Sequence, residues 1–498
     1  MEFLLGIDQG TTNTKAVLVD STARIRAVAE RRIATSSPQP GWVEQDPAAM
    51  LHNVLDCIRD VLAQGGVAPG KVAAAGICNQ TETLVVWDVA TGQPLHPAIV
   101  WQCRRSQADA QAVQQAGAEI GARTGLDLDP TFTATKLRWL LRERPEIGAL
   151  LANGRALWGT VDSWLVYALS GGSAYVTEAG NASRTMLFDI SKLRFDDELF
   201  RIFGLTLARR PEVKRSAASF GHIAREHLGA EIPISGILGD QQASLFGHGC
   251  FEPGMLKASF GTGGFVWLNA GATPPSGDRQ GLLATIAWQL DKPAYALEGF
   301  VMYAGAVVDW LLRILDLGSD PEAIARMAGE AAGTGGVTLV PAFQGLGSPW
   351  WDAEVRASIL GLSAGSERAQ ICRAGLEAIC FQTRAVLEAM ARVSGKAATL
   401  VSVDGGMTRS DDIMAMQAAV LNTPLRRAAT VHVAALGAAL MAGIGAGLWG
   451  GTQEISPLMG SGSPVDDISF AAEPWDDRYA QWRAAVDFTR QWKSDGRI

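Results

Sequence analysis

Cysteine is scarce and scattered: Cys57, Cys78, Cys103, Cys250, Cys372 and Cys380 form no C-x-x-C pair in 498 residues. This excludes a disulfide scaffold or a zinc ribbon and suits a reducing compartment. Positive charge is also short. Forty-three Lys plus Arg against 51 Asp plus Glu leave a net charge of −8, so no basic surface for a phosphate backbone is expected and nucleic acid is not a partner. The six histidines show no convincing metal-ligand spacing with one another. The first residues lack a basic region followed by a long apolar one, so no secretory leader is expected and the cytoplasm is the default location. The one uncharged stretch, residues 428–453, is too rich in Gly and Ala for a lone membrane span and is expected as a buried helix close to a neighbour.

What is present is ample apolar material, 48 % of the chain, and 55 glycines. The length accommodates about two to four domains. Residues 3–8 and 14–20 read as strands around a Gly10-Thr11-Thr12-Asn13 tip, and residues 255–260 and 265–269 repeat that design around Gly261-Thr262-Gly263-Gly264. Two such hairpins half a chain apart predict two related halves, divided near 247–249. Asp46-Pro47 starts a helix that ends at Gly65-Gly66. Further helices are expected at 135–141, 369–390 and 411–421, with buried strands at 72–77, 337–341 and 399–403, an alternation that means α/β architecture. A polar, Trp-bearing helical tail is expected at 474–492.

Three Gly-rich tips point to chemistry. Asp8-Gln9-Gly10-Thr11-Thr12 exposes backbone N–H groups and hydroxyls for phosphate oxygens, with Asp8 placed to hold hydrated Mg²⁺. Gly261–Gly264 offers a second set, and Asp404-Gly405-Gly406 a third, where backbone can approach a nucleoside. Gly65-x-x-x-x-Gly70-Lys71 is not a P-loop, since Val72 follows the Lys and the run leads from helix to strand. Asp240, between an apolar strand and a helix start, reads equally as an N-cap or as the carboxylate that accepts the proton of an attacking hydroxyl. Glu82, in Asn79-Gln80-Thr81-Glu82-Thr83, orients a hydroxyl or solvates a loop. Trp101 lies against the C–H face of a polyol or belongs to the core.

Taken together these segments resemble the FGGY carbohydrate kinases, and among them the glycerol kinases most. Further matching blocks are Gly41-Trp42-Val43-Glu44-Gln45-Asp46-Pro47, Gly125-Leu126-Asp127-Leu128-Asp129-Pro130, Asn181-Ala182-Ser183-Arg184-Thr185-Met186, Gly345-Leu346-Gly347-Ser348-Pro349 and Ala435-Leu436-Gly437-Ala438-Ala439. The resemblance implies an α/β, actin-like ATPase (ribonuclease H-like) fold. Residues 1–247 would carry the polyol and phosphates, residues 248–498 the nucleotide. ATP and Mg²⁺ are the implied cofactors, and a small polyol or sugar is the implied partner. A homo-dimer or homo-tetramer is also implied. By position, Asp8 would serve the metal, and Thr11, Thr12, Asn13, Lys15, Thr262, Gly305, Asp309, Gly406 and Ser410 would line the nucleotide. Asp240 would be the base, and Thr81, Glu82, Trp101, Thr131, Gln241 and Phe265 would surround the polyol.

The departures fall where specificity is set. Thr81 and Thr131 stand where glycerol kinases carry Arg and Tyr, which leaves space and neutral hydroxyls. Lys15 replaces Arg, Asp309 replaces Gln and Ser410 replaces Asn. Residues 225–232 lack the Gly- and Arg-rich loop through which some glycerol kinases bind fructose 1,6-bisphosphate, so that regulation is not expected. The sequence therefore predicts an ATP-dependent kinase for a terminal hydroxyl of glycerol or a related polyol. The alternatives are a kinase for a four- or five-carbon alditol or ketose, and a non-catalytic actin-like protein that binds ATP.

Overall fold

Strands covered on both faces must be apolar throughout rather than alternating, and the first hairpin shows this. In the computed structural model, which describes residues 2–460, 462–465 and 473–493, β1 (Phe3–Gln9) pairs antiparallel with β2 (Asn13–Asp20), and Asp8 faces Lys15 across the ladder. β3 (Ile25–Arg32) adds beside β2; β4 (Val72–Asn79) and β5 (Ile232–Gly239) add in parallel on the far side of β1. The order is β3-β2-β1-β4-β5, with the short strand His222–Ile223 beyond β5. α1 (Pro47–Gly65) makes the crossover from β3 to β4. The Asp46 carboxylate accepts the Ala48 N–H at its start, and Gly66 at φ +63° ends it, as the sequence predicts.

α2 (Asp240–Gly247) leads out of β5 toward a second sheet. There β6 (Met255–Phe260) and β7 (Gly264–Gly271) form the second hairpin, followed by β8 (Leu283–Gln289) and β9 (Pro293–Val301). After α3 (Gly305–Ile314) and α4 (Arg368–Ser394) come β10 (Leu400–Asp404) and β11 (Leu425–Arg427), which add in parallel to β6. Apart from β8 at one edge and Ser463–Pro464 at the other, the order β9-β7-β6-β10-β11 repeats that of the first sheet. The expected pair of related halves is thus present in topology, and the α/β actin-like fold with it. The strand expected at 337–341 is Thr338–Val340, in a small separate sheet with Ser358–Leu360.

The uncharged stretch forms α5 (Asp411–Leu421)'s successor in the chain, α6 (Val433–Gly445), and lies on the first sheet rather than the second. Gly6, Gly76 and Gly236 stand in register on β1, β4 and β5. A Cβ on them would come within 2.0 Å of Ala435 O, 1.9 Å of Ala438 O and 2.4 Å of Ala442 N, respectively. The row of glycines is a trough in which α6 rests on bare backbone. Gly437 meets α2 as closely, its missing Cβ 2.0 Å from Ala243 O. No helix among the described residues is long and apolar enough to cross a membrane. The expected polar tail is instead a packed helix, α7 (Trp475–Lys493): Trp482 is buried and its indole donates to Leu339 O at 3.0 Å.

Candidate active site

Three parallel strands end at one edge of the first sheet, where α/β proteins gather ligands. β1 delivers Asp8, β4 runs into Asn79-Gln80-Thr81-Glu82, and β5 delivers Asp240. Asp240 is the first residue of α2, and the N-cap is Gly239. The capping role is therefore not the one Asp240 plays; its Oδ1 accepts the adjacent Gln241 N–H, at 2.7 Å. A Cβ on Gly239 would collide with Gln242 and Thr81, 2.3 and 2.5 Å away, so glycine lets these segments close on the carboxylate. Burial, with the charges of Glu82 and Asp8, raises Asp240 to about 7. That places a carboxyl at the threshold of ionisation near neutral pH, as proton transfer requires.

Glu82 is 4 % exposed, so it does not solvate a loop. Its backbone sits in the left-handed region at φ +62°, a conformation that costs a non-glycine residue about 1 kcal/mol or more and persists only under constraint. The constraint is visible. Its carbonyl accepts from Thr133 Oγ1 and Lys136 Nζ, both at 3.0 Å, and its carboxylate accepts from Arg184 Nε at 2.5 Å. Arg184 Nη1 in turn meets Glu298 of β9 at 2.7 Å, so one guanidinium spans the two halves.

Thr81, Glu82, Trp101, Thr131, Asp240, Gln241 and Phe265, the seven side chains the sequence nominates for a polyol, line one cavity of about 620 Å³. The indole of Trp101 donates to Thr11 Oγ1 at 2.9 Å, which ties this cavity to the first Gly-rich tip. Trp101 is half-buried with its ring on the cavity rather than in the core. Phe265 and Phe300, rings 4.9 Å apart, make an apolar wall. The Thr131 hydroxyl is turned to Asp129 Oδ1, 2.6 Å away, and so is engaged in its own turn.

On the nucleotide side the arrangement is more open. Thr11 lines the cavity, Thr12 is exposed, and Asn13 and Lys15 are half-buried on β2. Thr262 is exposed on the second tip, and α3 starts against that tip, with Gly305 N–H donating to Gly261 O at 2.9 Å. At the third tip Gly405 takes φ +98°, and a Cβ there would lie 2.2 Å from Phe260 O; Gly406 beside it has open space. Asp309 is exposed on α3, outside the cavity. Ser410 is buried and donates to Glu322 at 3.3 Å.

Asp8 is a candidate for a divalent cation. Burial raises its carboxyl to about 6, against the opposing charge of Lys15. Among the described residues no group of three or more His, Cys, Asp or Glu could hold a metal alone. A single carboxylate of this kind fits Mg²⁺, which keeps its waters and binds through one or two carboxylates plus phosphate oxygens.

Sequence reasoning assigned no role to Arg184, Glu298, Lys136 or Lys257. Arg184 belongs to the segment 181–186, and Lys257 stands in the otherwise uncharged strand Met255–Phe260. A lone charge in such a run was a usable signal, since Lys is almost never fully buried without a partner.

Comparison with known proteins accords with this geometry. The model of the N-terminal domain of the FGGY family of carbohydrate kinases matches residues 3–247, and that of its C-terminal domain matches residues 256–446. The chain belongs to the FGGY family of carbohydrate kinases. A glycerol kinase of Citrifermentans bemidjiense is 48 % identical over 452 residues, 90 % of this chain and 91 % of the relative. One of Aromatoleum aromaticum is 43 % identical over 495 residues, 99 % of each chain. Among solved structures, Plasmodium falciparum glycerol kinase with ADP superposes with a TM-score of 0.91 at 33 % identity over 98 % of both chains. A xylulose kinase of Brucella ovis gives 0.88 at 26 % identity, over 99 % of this chain and 100 % of that one.

Proposed function

We propose that this FGGY kinase transfers the γ-phosphoryl group of ATP to a terminal hydroxyl of glycerol, in the cytoplasm. The observation that carries the reading is Asp240: a carboxyl raised to about 7 on the wall of a cavity it shares with Glu82, Gln241 and Trp101, at the edge that also bears the first Gly-rich tip. The glycerol kinases among the relatives support the choice of substrate, and the ADP of the Plasmodium structure supports the nucleotide.

In this mechanism Glu82 and Gln241 orient the polyol, and Phe265 with Trp101 covers its C–H face. Asp240 takes the proton of the hydroxyl as the oxygen bonds to the γ-phosphorus. The bond from that phosphorus to the bridging oxygen breaks, and ADP leaves with the electron pair. The tip N–H groups and hydroxyls of Thr11, Thr12, Asn13 and Thr262, with Lys15, face the phosphates; Gly305, Gly406, Asp309 and Ser410 border the nucleoside. Magnesium, when held with the nucleotide at Asp8, supplies neutralisation of the phosphate charge. Residues 1–247 carry the polyol side and residues 248–498 the nucleotide side, and the enzyme works as a homo-dimer or homo-tetramer. Six unpaired, buried cysteines suit the reducing compartment.

ADP release from ATP·Mg²⁺ with glycerol, erythritol, threitol, xylitol, xylulose and dihydroxyacetone, compared as kcat/KM, tests the reading. Glycerol is expected to lead, and the absence of turnover with every acceptor overturns it. One observation favours a second reading: the cavity is large for a three-carbon triol, with two threonines in place of larger polar groups. A lead by a four- or five-carbon polyol establishes that reading instead.

A further inference from the structure

The buried face of β6 carries a lysine. Lys257 has no exposed surface, and its Nζ donates to Gln241 Oε1 at 2.5 Å and to Ser259 Oγ at 2.9 Å. Ser259 stands opposite Asp404 in the β6–β10 ladder, and the Asp404 carboxylate receives His248 Nε2 at 2.9 Å and Ser244 Oγ at 3.4 Å. The carboxylates of Asp404, Asp240 and Glu298 surround the ammonium, and burial lowers its pKa in spite of them. Burying an amine is costly, and on this face of the strand it stands between Met255 and Ser259, with Ser402 opposite it on β10.

We propose that Lys257 is a positioning residue for the polyol, turning the Gln241 carboxamide so that its NH₂ group faces the cavity. The inference rests on the kinase reading above. An ammonium has three donors and no acceptor, whereas a carboxamide has one end of each kind. The end of Gln241 that meets Lys257 is therefore the oxygen, and the end left for the ligand is the donor. Among the cavity's other polar groups, Glu82, Asp240 and Glu298 are carboxylates that accept. A hydroxyl placed among them gives its hydrogen to a carboxylate and receives a hydrogen on its oxygen from Gln241, so each side of the O–H group is matched. Gln241 belongs to α2 and Lys257 to the second sheet, so the donor is correctly aimed only when the two halves are held in register.

Two variants and a cycle test this. Gln241→Glu keeps the shape, pairs directly with Lys257 and presents an acceptor to the polyol in place of the donor. The glycerol KM is expected to rise on the order of ten- to a hundredfold, the cost of an unmatched buried polar group, with the ATP KM unchanged. Lys257→Met is expected to raise the glycerol KM in the same direction, and to add nothing further in a Gln241→Ala background. An unchanged glycerol KM in Gln241→Glu, or full additivity in the cycle, overturns the proposal. Should Lys257→Met fail to fold, Gln241→Glu decides alone. Wild-type protein run in the same assay separates the two levels: inactivity on every polyol overturns the kinase reading and this inference with it, whereas an active wild type with an indifferent Gln241→Glu overturns the lysine's role only.

Discussion

Arg184 meets Glu298 at 2.7 Å, and because the first belongs to the segment between β4 and β5 and the second to β9, this buried ion pair joins the two halves of the molecule at the wall of the active cavity. The same guanidinium grips Glu82 at 2.5 Å, so the orientation of a polyol-facing carboxylate depends on a contact from the opposite half.

Glu298→Ala should therefore cost both stability and activity. Arg184 keeps Glu82, but its buried Nη1 loses Glu298, a cost of about 1–3 kcal/mol for an unmatched buried donor, expected as a lower urea midpoint. The glycerol KM should also rise as Glu82 loses its fixed orientation. A variant with wild-type midpoint and kinetics would show that Arg184 is held by Glu82 alone.

The pH profile follows from Asp240. A base works deprotonated, and burial with the nearby charges of Glu82 and Asp8 puts this carboxyl at about 7. kcat/KM for the polyol should fall about tenfold per pH unit below that value and level off above it. Asp240→Asn should lower kcat by roughly 10²–10⁴ and abolish that limb, while ATP still binds in a fluorescence or calorimetric titration. A limb near the ordinary carboxylate value, unchanged in Asp240→Asn, would sink the assignment.

Thr81 and Thr131 both line the cavity. Thr81→Arg with Thr131→Tyr fills it with the side chains usual in glycerol kinases. The ratio of kcat/KM for glycerol over xylitol should rise by an order of magnitude or more, each large polar contact being worth about 1–3 kcal/mol. An unmoved ratio would place specificity elsewhere in the cavity.

Much of this was legible from residues. Both hairpins, the capped ends of α1 and the bounds of α5 follow from local signals, as do Glu82 and Asp240 at strand ends, whereas Thr81, Thr131, Gln241 and Phe265 are nominated for the polyol by the family resemblance alone. What the sequence does not display is contact between distant segments. Nothing local says that Arg184 reaches Glu298, that Lys257 meets Gln241, or that the Thr131 hydroxyl is spent on Asp129. The helix at 475–493 reads as polar because its charged face dominates the composition, while Trp475, Tyr479 and Trp482 on one side make it part of the core. Asp309 and Ser410, placed by position alone, lie on an exposed face and on Glu322, respectively.

Gly76→Ala probes the trough beneath α6. The added methyl would sit 1.9 Å from Ala438 O, so sheet and helix must separate, at a cost on the order of 3 kcal/mol. Thermal unfolding should shift down by several degrees, whereas Gly66→Ala, with nothing within 4 Å of its Cβ, should show only the smaller strain of its positive φ.

The trough also imposes an order of events on the newly made chain. The last strand of the first sheet ends at Gly239, but the helix that covers its glycine row is complete only at Gly445, about 200 residues later. At ordinary synthesis speed that is a delay of roughly 10–40 s, during which one face of a finished sheet stands open to water and to neighbours. Until α6 is made, the glycine-lined face of the first sheet lacks the helix that covers it in the folded protein.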